Sequence, residues 1–439
     1  MTTARVVLWG RDIAAVTWDQ SREIGVLQYQ PEFLNSGIQV APLTMPLSEG
    51  VFEFPALSKE TFKGLPGLLA DSLPDKFGNA LIDTWLATQS RTPDSMNPVE
   101  RLCYIGTRGM GAIEFHPTTA GPATPTQNLH VENLVRLANK VLNARESLAG
   151  EFVGDDDTAA IQDILRVGTS AGGARAKAIL AWNEETGEFR SGQVDLKNGF
   201  TQWLMKFDGI TNNKDKELAD PQGYGLIEYA YYLMALGAGI EISKCRIHRE
   251  GGRAHFMTQR FDRVSASTEG NGKLHMQSLG AMMHFDFNQP GAYSYEQAIQ
   301  AMLTLGLPLI QIKQQFRRAV FNVIARNQDD HVKNIAFLMD RNGQWSLSPA
   351  FDVVYSYNPS GAWTSSHQMS INGKRDGFEV SDLVALANVG GIKKKKAIDI
   401  VKEVVSAVSS WPSHAETAGV STRDANRIQK AFRLNIVPS

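Results

Sequence analysis

The feature that most constrains this chain is a change of hydrophobic period along its length. As far as about residue 54 the apolar residues fall in short β-branched and aromatic runs, among them Val6 to Trp9 and Ile24 to Tyr29, punctuated by Gly, Pro and Asn. Such runs specify short strands in a small sheet or barrel. After Arg263 they recur instead at helical spacing, over residues 295–305, 309–326, 397–409 and 422–434. Strand and helix present their side chains with different periods, so the two ends of the chain must pack as different kinds of layer. With 439 residues the chain also exceeds the size at which one core stops growing. The expected architecture is α+β, with two lobes around a cleft.

Boundaries follow from local composition. Residues 117–128 are rich in Pro, Thr and Gly without periodicity, which marks a surface connection. A β-rich subdomain is therefore expected over 1–118. Strand-like runs at Ala178 to Trp182 and Gln202 to Phe207, with a helical run at 132–143, make 119–264 an α/β unit, and 265–439 a mainly helical lobe. Within the first unit, the spacing predicts helix from about Leu65 to Leu86, restarting after Pro74. In the last, Asn342-Gly343 between Ile335 to Met339 and Trp345 to Ser348 reads as a hairpin turn.

Several classes are disfavoured. Hydrophobic residues at 43% and charged residues at 21% are ordinary for a globular chain. No export signal opens the sequence, and the longest apolar stretch, Gly225 to Ile240, is interrupted by Glu228 and falls short of the ~20 residues that span a bilayer. A cytoplasmic protein without a membrane partner is expected. Cys103 and Cys245 stand far apart and read as small buried apolar side chains rather than a disulfide or zinc site. A formal net charge of −2 provides no bulk attraction for nucleic acid, so any DNA contact is local or borrowed from a partner.

The chemistry is concentrated in Arg326-Asn327-Gln328-Asp329-Asp330-His331-Val332-Lys333-Asn334, a dense polar loop between a helical and a strand-like run. Asp329 stands before four residues and then Asn334, and Asp352 follows one hairpin later. In protein kinases that spacing places an Asp on the acceptor hydroxyl and an Asn and a second Asp on Mg²⁺. Mg²⁺ requires oxygen donors, which Asn334 and Asp352 supply. By themselves the three residues equally suit caps and turns.

Three further segments favour the chemical reading. Gly168 to Lys177 is glycine-rich, and glycines let backbone N–H groups cradle phosphate; it is neither a Walker A nor a dinucleotide fingerprint. Lys206 is a cation inside the strand-like run Trp203 to Phe207, and so needs an anionic partner unless it lies on a wet face. Gln259-Arg260-Phe261-Asp262-Arg263 sits at the expected lobe junction. The run Lys393 to Lys396 reads as a solvated helix start.

In this order, and with Leu68 to Asp75, Arg101 to Glu114, His275 to Leu279 and Leu347 to Asp352, these segments resemble the HipA family of bacterial serine/threonine kinase toxins over nearly the whole chain. The resemblance implies a two-lobed protein-kinase and phosphoinositide-kinase-like fold using ATP and Mg²⁺. It implies Asp329 as the catalytic residue, Asn334 and Asp352 as metal ligands, and Lys206 as the phosphate-binding lysine. Ala171, Gly172, Gly173 and Ala174 match the nucleotide-cradling backbone, His331 a histidine near the phosphates, and Gln259 with Phe261 the adenine side. Ser170 falls where the family's inhibitory autophosphorylated serine lies. As partners it implies a HipB-like helix-turn-helix antitoxin, operator DNA mainly through that antitoxin, and an aminoacyl-tRNA synthetase as protein substrate. Gln259 and Gln328 depart from residues common in the family. The residues alone leave open a small-molecule or lipid kinase and a non-catalytic ATP-binding regulatory module.

Overall fold

The computed structural model describes residues 2–119, 129–144, 168, 175–192, 199–210, 223–264 and 272–436. The N-terminal strands β1 (Thr3–Leu8), β2 (Arg11–Asp19), β3 (Ile24–Tyr29), β4 (Val51–Phe52) and β5 (Ile113–His116) form an antiparallel sheet in the order β4-β3-β2-β1-β5. Leu8 pairs with Arg11, so β1 and β2 are joined through Trp9 and Gly10 alone. Both have positive φ, 51° and 80°, as a two-residue turn matched to strand twist requires. Alternate residues Ala4 and Val6 are fully buried while Arg5 faces solvent, the period-two pattern of a half-buried sheet.

The helix expected to restart after Pro74 does so. Asp75 caps Lys76–Thr88 by accepting from the Gly78 N–H at 2.6 Å, and the preceding turn of helix is Gly67–Ala70. Gly67 has no room for a side chain, since a Cβ would lie 2.3 Å from the Ala281 carbonyl oxygen. This is where the N-terminal unit meets the start of the C-terminal lobe.

A second antiparallel sheet consists of β6 (Lys177–Asn183), β7 (Phe189–Ser191), β8 (Phe200–Lys206), β9 (Cys245–Glu250) and β10 (Arg253–Gln259), in the order β7-β6-β8-β10-β9. Its central strand β8 buries Trp203 and Met205, each contributing about 1.5–3 kcal/mol by removal from water. The helix Tyr224–Gly237 packs across β9 and β10. Beyond it lie β11 (His275–Ser278), β12 (Ala336–Met339) and β13 (Trp345–Leu347), a three-stranded sheet in sequence order. Gly343, at φ 79°, makes the β12–β13 turn.

The remaining lobe is helical, and its core contains Phe316, Phe321, Tyr231 and Trp411. Among the described residues, helices that periodicity did not signal include the short Leu279–Met283, Val380–Val389 and Trp411–Ala418; the last of these matters for the chain's path. Trp411–Ala418 follows directly on Lys394–Ser409 with Pro412 in its first turn; a proline at that position starts a helix as readily as it ends the one before. The helix beginning at Thr422 stops at Gln429 and not at residue 434. The chain turns away there because the Arg433 N–H donates to the Ile324 carbonyl, at the end of Leu309–Ile324. Cys103 and Cys245 are buried and free, and Lys393 to Lys396 are exposed at a helix start. Among the described residues, no helix is long and apolar enough to cross a membrane.

Candidate active site

Lys206 is the last residue of β8, paired with Lys177 of β6 and Phe256 of β10. It does not lie on a wet face: its side chain is 10% exposed. Burial of a lone ammonium is costly, and here two carboxylates balance it. Its Nζ donates to Glu228 Oε1 at 2.5 Å and to Asp352 Oδ1. The other oxygen of Glu228 accepts from Arg175 Nη1 at 3.1 Å, and that guanidinium stacks 4.6 Å from the Tyr224 ring centroid. Burial opposes the charged lysine, but the Asp352 and Glu228 carboxylates overcome it and hold its pKa above the ordinary value. Lys206 therefore remains a cation.

Glu228 lies on the helix Tyr224–Gly237 with only 2% of its side chain exposed. Sequence reasoning used it only as an interruption of an apolar run, yet that was its signal: an acid inside a buried helix needs a cation. A strand lysine paired with a helix glutamate is the arrangement protein kinases use to hold nucleotide phosphates.

Asp352 reaches Lys206 because of its backbone. With φ at 56° it is in the left-handed region, which costs a non-glycine residue roughly 1 kcal/mol and is best tolerated by Asp and Asn. The preceding Phe351 packs against Phe261, ring centroids 5.6 Å apart. This brings the junction after β10 beside the segment carrying Asp352. Gln259 closes β10, its N–H donating to the Lys244 carbonyl at 2.8 Å.

The alternate residues of that junction face the other way. Asp262, fully buried, accepts from Arg260 Nη2 and Arg263 Nη1, both at 2.6 Å, and from the Gly111 N–H at 2.6 Å. The two guanidiniums also donate to the Gly109 carbonyl. Burial raises the Asp262 pKa, but Arg260 and Arg263 reverse the effect and hold it well below the carboxylate range. Arg260, Asp262 and Arg263 are thus a clamp on the 109–111 turn, while Phe261 packs on Phe351.

The loop 326–334 begins as Arg326, at φ 57°, ends the helix Leu309–Ile324, a usual left-handed helix terminus. Asp329 Oδ1 accepts from Trp363 Nε1 at 2.9 Å, while 39% of its side chain is exposed. His331 Nε2 stands 3.9 Å from the same oxygen. Asn334 donates through Nδ2 to the Asp329 carbonyl at 2.8 Å. That bond engages Nδ2 and assigns Oδ1 as the amide's acceptor atom. Asn334 and Asp352 line one pocket, so the β12–β13 hairpin does bring the two together. An oriented amide oxygen and a carboxylate beside a fixed cation suit a hard divalent ion and phosphate oxygens.

Sequence reasoning missed Trp363 and Asp330. Asp330 is buried and accepts from the Tyr295 hydroxyl, His367 and the Gln368 N–H. Its signal was two adjacent acids, only one of which can face the cleft. Ser170, Ala171, Gly172, Gly173 and Ala174 lie outside the described residues. Just beyond them, at the start of β6, Lys177 pairs with Asp75 at 2.7 Å, both side chains nearly inaccessible. This ion pair ties β6 to the cap of Lys76–Thr88.

The chain matches two family models, one described as the HipA-like C-terminal domain over residues 169–411 and one as the HipA N-terminal domain over residues 4–116. A putative kinase, Y4dM of Sinorhizobium fredii (strain NBRC 101917 / NGR234), is 24% identical over 188 residues, which take in 38% of this chain. The chain spans about half the length of that curated relative, 46%. Among solved structures, the toxin–antitoxin system HipA, HipB and operator DNA complex of Shewanella oneidensis MR-1 contains a chain of the same fold, with a TM-score of 0.64 at 17% identity, covering 97% of this chain and 94% of that one. The fold is accordingly α+β and two-lobed, of the kinase-like type.

Proposed function

The chain belongs to the HipA family, and on that premise we propose that it is an ATP- and Mg²⁺-dependent serine/threonine protein kinase acting as the toxin of a toxin–antitoxin pair. The observation that carries the reading is the buried Lys206, bonded to both Glu228 and Asp352 at the pocket shared by Asp352 and Asn334. Against a regulatory module without turnover stands the intact set of Asp329, Asn334, Asp352 and Lys206.

In this reading Lys206 binds nucleotide phosphates, and Glu228 keeps it pointed at them. Asn334 Oδ1 and Asp352 would hold Mg²⁺, which when bound neutralises phosphate charge. Gln259 and Phe261 face the adenine, His331 lies near the phosphates, and the backbone of Ala171, Gly172, Gly173 and Ala174 cradles them. Asp329 orients the acceptor hydroxyl and takes its proton on the oxygen not bonded to Trp363. Catalysis is by positioning and electrostatics. Phosphorylation of Ser170 places a dianion in the phosphate cradle and shuts the enzyme off by repulsion.

A HipB-like helix-turn-helix antitoxin is the proposed partner, with operator DNA reached mainly through it, since a net charge of −2 draws no DNA by itself. The complex of Shewanella oneidensis supports that assembly. An aminoacyl-tRNA synthetase is the proposed substrate.

The test is incubation of the purified chain with Mg²⁺ and γ-labelled ATP. Label is expected on Ser170 of the wild type and absent from Asp329→Asn. Ser170→Ala should lose self-labelling yet still label an acceptor protein. No label and no ATP consumption with any cell extract overturns the kinase reading. Equal growth on expression with and without the antitoxin overturns the toxin reading alone.

A further inference from the structure

Behind Asp329 lies a run of buried polar groups that none of the proposed nucleotide contacts requires. Asp330 Oδ2 is 2.8 Å from His367 Nδ1, and His367 Nε2 is 3.0 Å from Arg433 Nη1. His367 and Asp330 are 0% and 4% exposed. A guanidinium only donates, so Nε2 must be the bare nitrogen and Nδ1 the one that donates to Asp330. His367 is thus held neutral, in one tautomer, between an anion and a cation.

Arg433 is itself anchored at the root of the loop. Nη1 donates to the Val323 carbonyl at 2.7 Å, the backbone N–H to Ile324 at 3.0 Å, and Nη2 pairs with Asp376. Val323 and Ile324 end the helix that runs into Arg326 to Asn334, where a cation also complements the helix dipole. Asp330 meanwhile accepts from Tyr295 and from the Gln368 N–H, each at 2.8 Å. Trp363, His367 and Gln368 lie on one segment, which therefore holds Asp329 by its side chain and contributes two of the three bonds to Asp330.

We infer that Asp330, His367 and Arg433 form a positioning chain that fixes the Asp329–Asp330 peptide, and thereby the aim of the Asp329 carboxylate. Burying a carboxylate there is costly unless each lone pair is satisfied, and an apolar side chain fills such a site at less cost. What the charged chain adds is orientation. The inference rests on the kinase reading above and deepens it.

The experiment uses the full chain and measures kcat, KM for ATP, nucleotide affinity and thermal unfolding. In Arg433→Met and His367→Leu, kcat is expected to fall roughly 10- to 100-fold, the effect of a misplacement of about 1 Å, while KM and nucleotide affinity move less than about twofold. Arg433→Lys, which keeps a donor for Nε2, and His367→Asn, whose amide replaces the Nδ1–H, should each recover much of the loss. Arg433→Met leaves the His367–Asp330 bond in place and decides the matter if His367→Leu does not fold. Unchanged kcat, affinity falling in step with kcat, or no recovery in the conservative variants overturns the inference while Asp329→Asn still upholds the kinase reading. A wild type that transfers nothing removes both. Independently of activity, ¹⁵N chemical shifts should report His367 neutral with hydrogen on Nδ1; hydrogen on Nε2 overturns the chain.

Discussion

Replacing Glu228 by glutamine preserves the side-chain shape and removes its charge, exchanging one of two acceptor oxygens for a donor. In the wild type those oxygens receive Lys206 at 2.5 Å and Arg175 at 3.1 Å, with 2% of the side chain exposed. One cation must then face an amide N–H. A hydrogen bond to a charged group contributes about 1.5–3 kcal/mol, and breaking a buried pair outright costs about 3–5 kcal/mol. Lys206 retains Asp352 and Arg175 retains the Tyr224 ring, so neither cation is wholly abandoned. The expected loss is near the lower bound, about 3 kcal/mol. Urea unfolding of Glu228→Gln against wild type measures it as a lower midpoint at unchanged slope. Phosphoryl transfer should fall by at least roughly tenfold, because Lys206 loses the Glu228 carboxylate, keeps its bond to Asp352 and is drawn off the phosphates. A stability loss under about 1 kcal/mol would show that the carboxylate is not what balances the two cations. Full activity would refute the role of the pair in holding Lys206.

Asp262→Asn removes the anion shared by Arg260 and Arg263 and should lower stability by about 3–5 kcal/mol; thermal unfolding with no measurable shift would exclude the clamp. Burial holds both His255 and His275 down to about pKa 4 against an ordinary 6.5. The unfolded chain takes up protons at these two residues near pH 6.5 and the folded chain only near 4, so stability should be flat above about pH 7 and fall between 6.5 and 4, by on the order of 3 kcal/mol for each. Urea midpoints across that range test the sign, and His255→Gln should flatten part of the slope.

The elements that repeat a period were legible before folding. The strand-like run beginning at Val6, the Asn342-Gly343 turn and the Pro74 restart each follow from rules acting over a few residues. The candidate site was legible as types and spacings: Asp329, Asn334, Asp352 and Lys206 stand out because polar groups in loops, or a cation in an apolar strand, need a reason. Their pairing was not, since Glu228 meets Lys206 from another element and Trp363 meets Asp329 across 34 residues.

Whether Lys206 faced solvent or the interior depended on which face of its sheet the helix Tyr224–Gly237 covered, and no local pattern states that. Asp329 and Asp330 are likewise equivalent as sequence neighbours. One became a half-open carboxylate and the other a buried one, because His367 and Gln368 return to this loop from beyond the β12–β13 hairpin. Residue types and spacings decided which groups were available for chemistry. Only the tertiary structure decided which of them lost their water, and it is that loss which makes a charge need a particular partner.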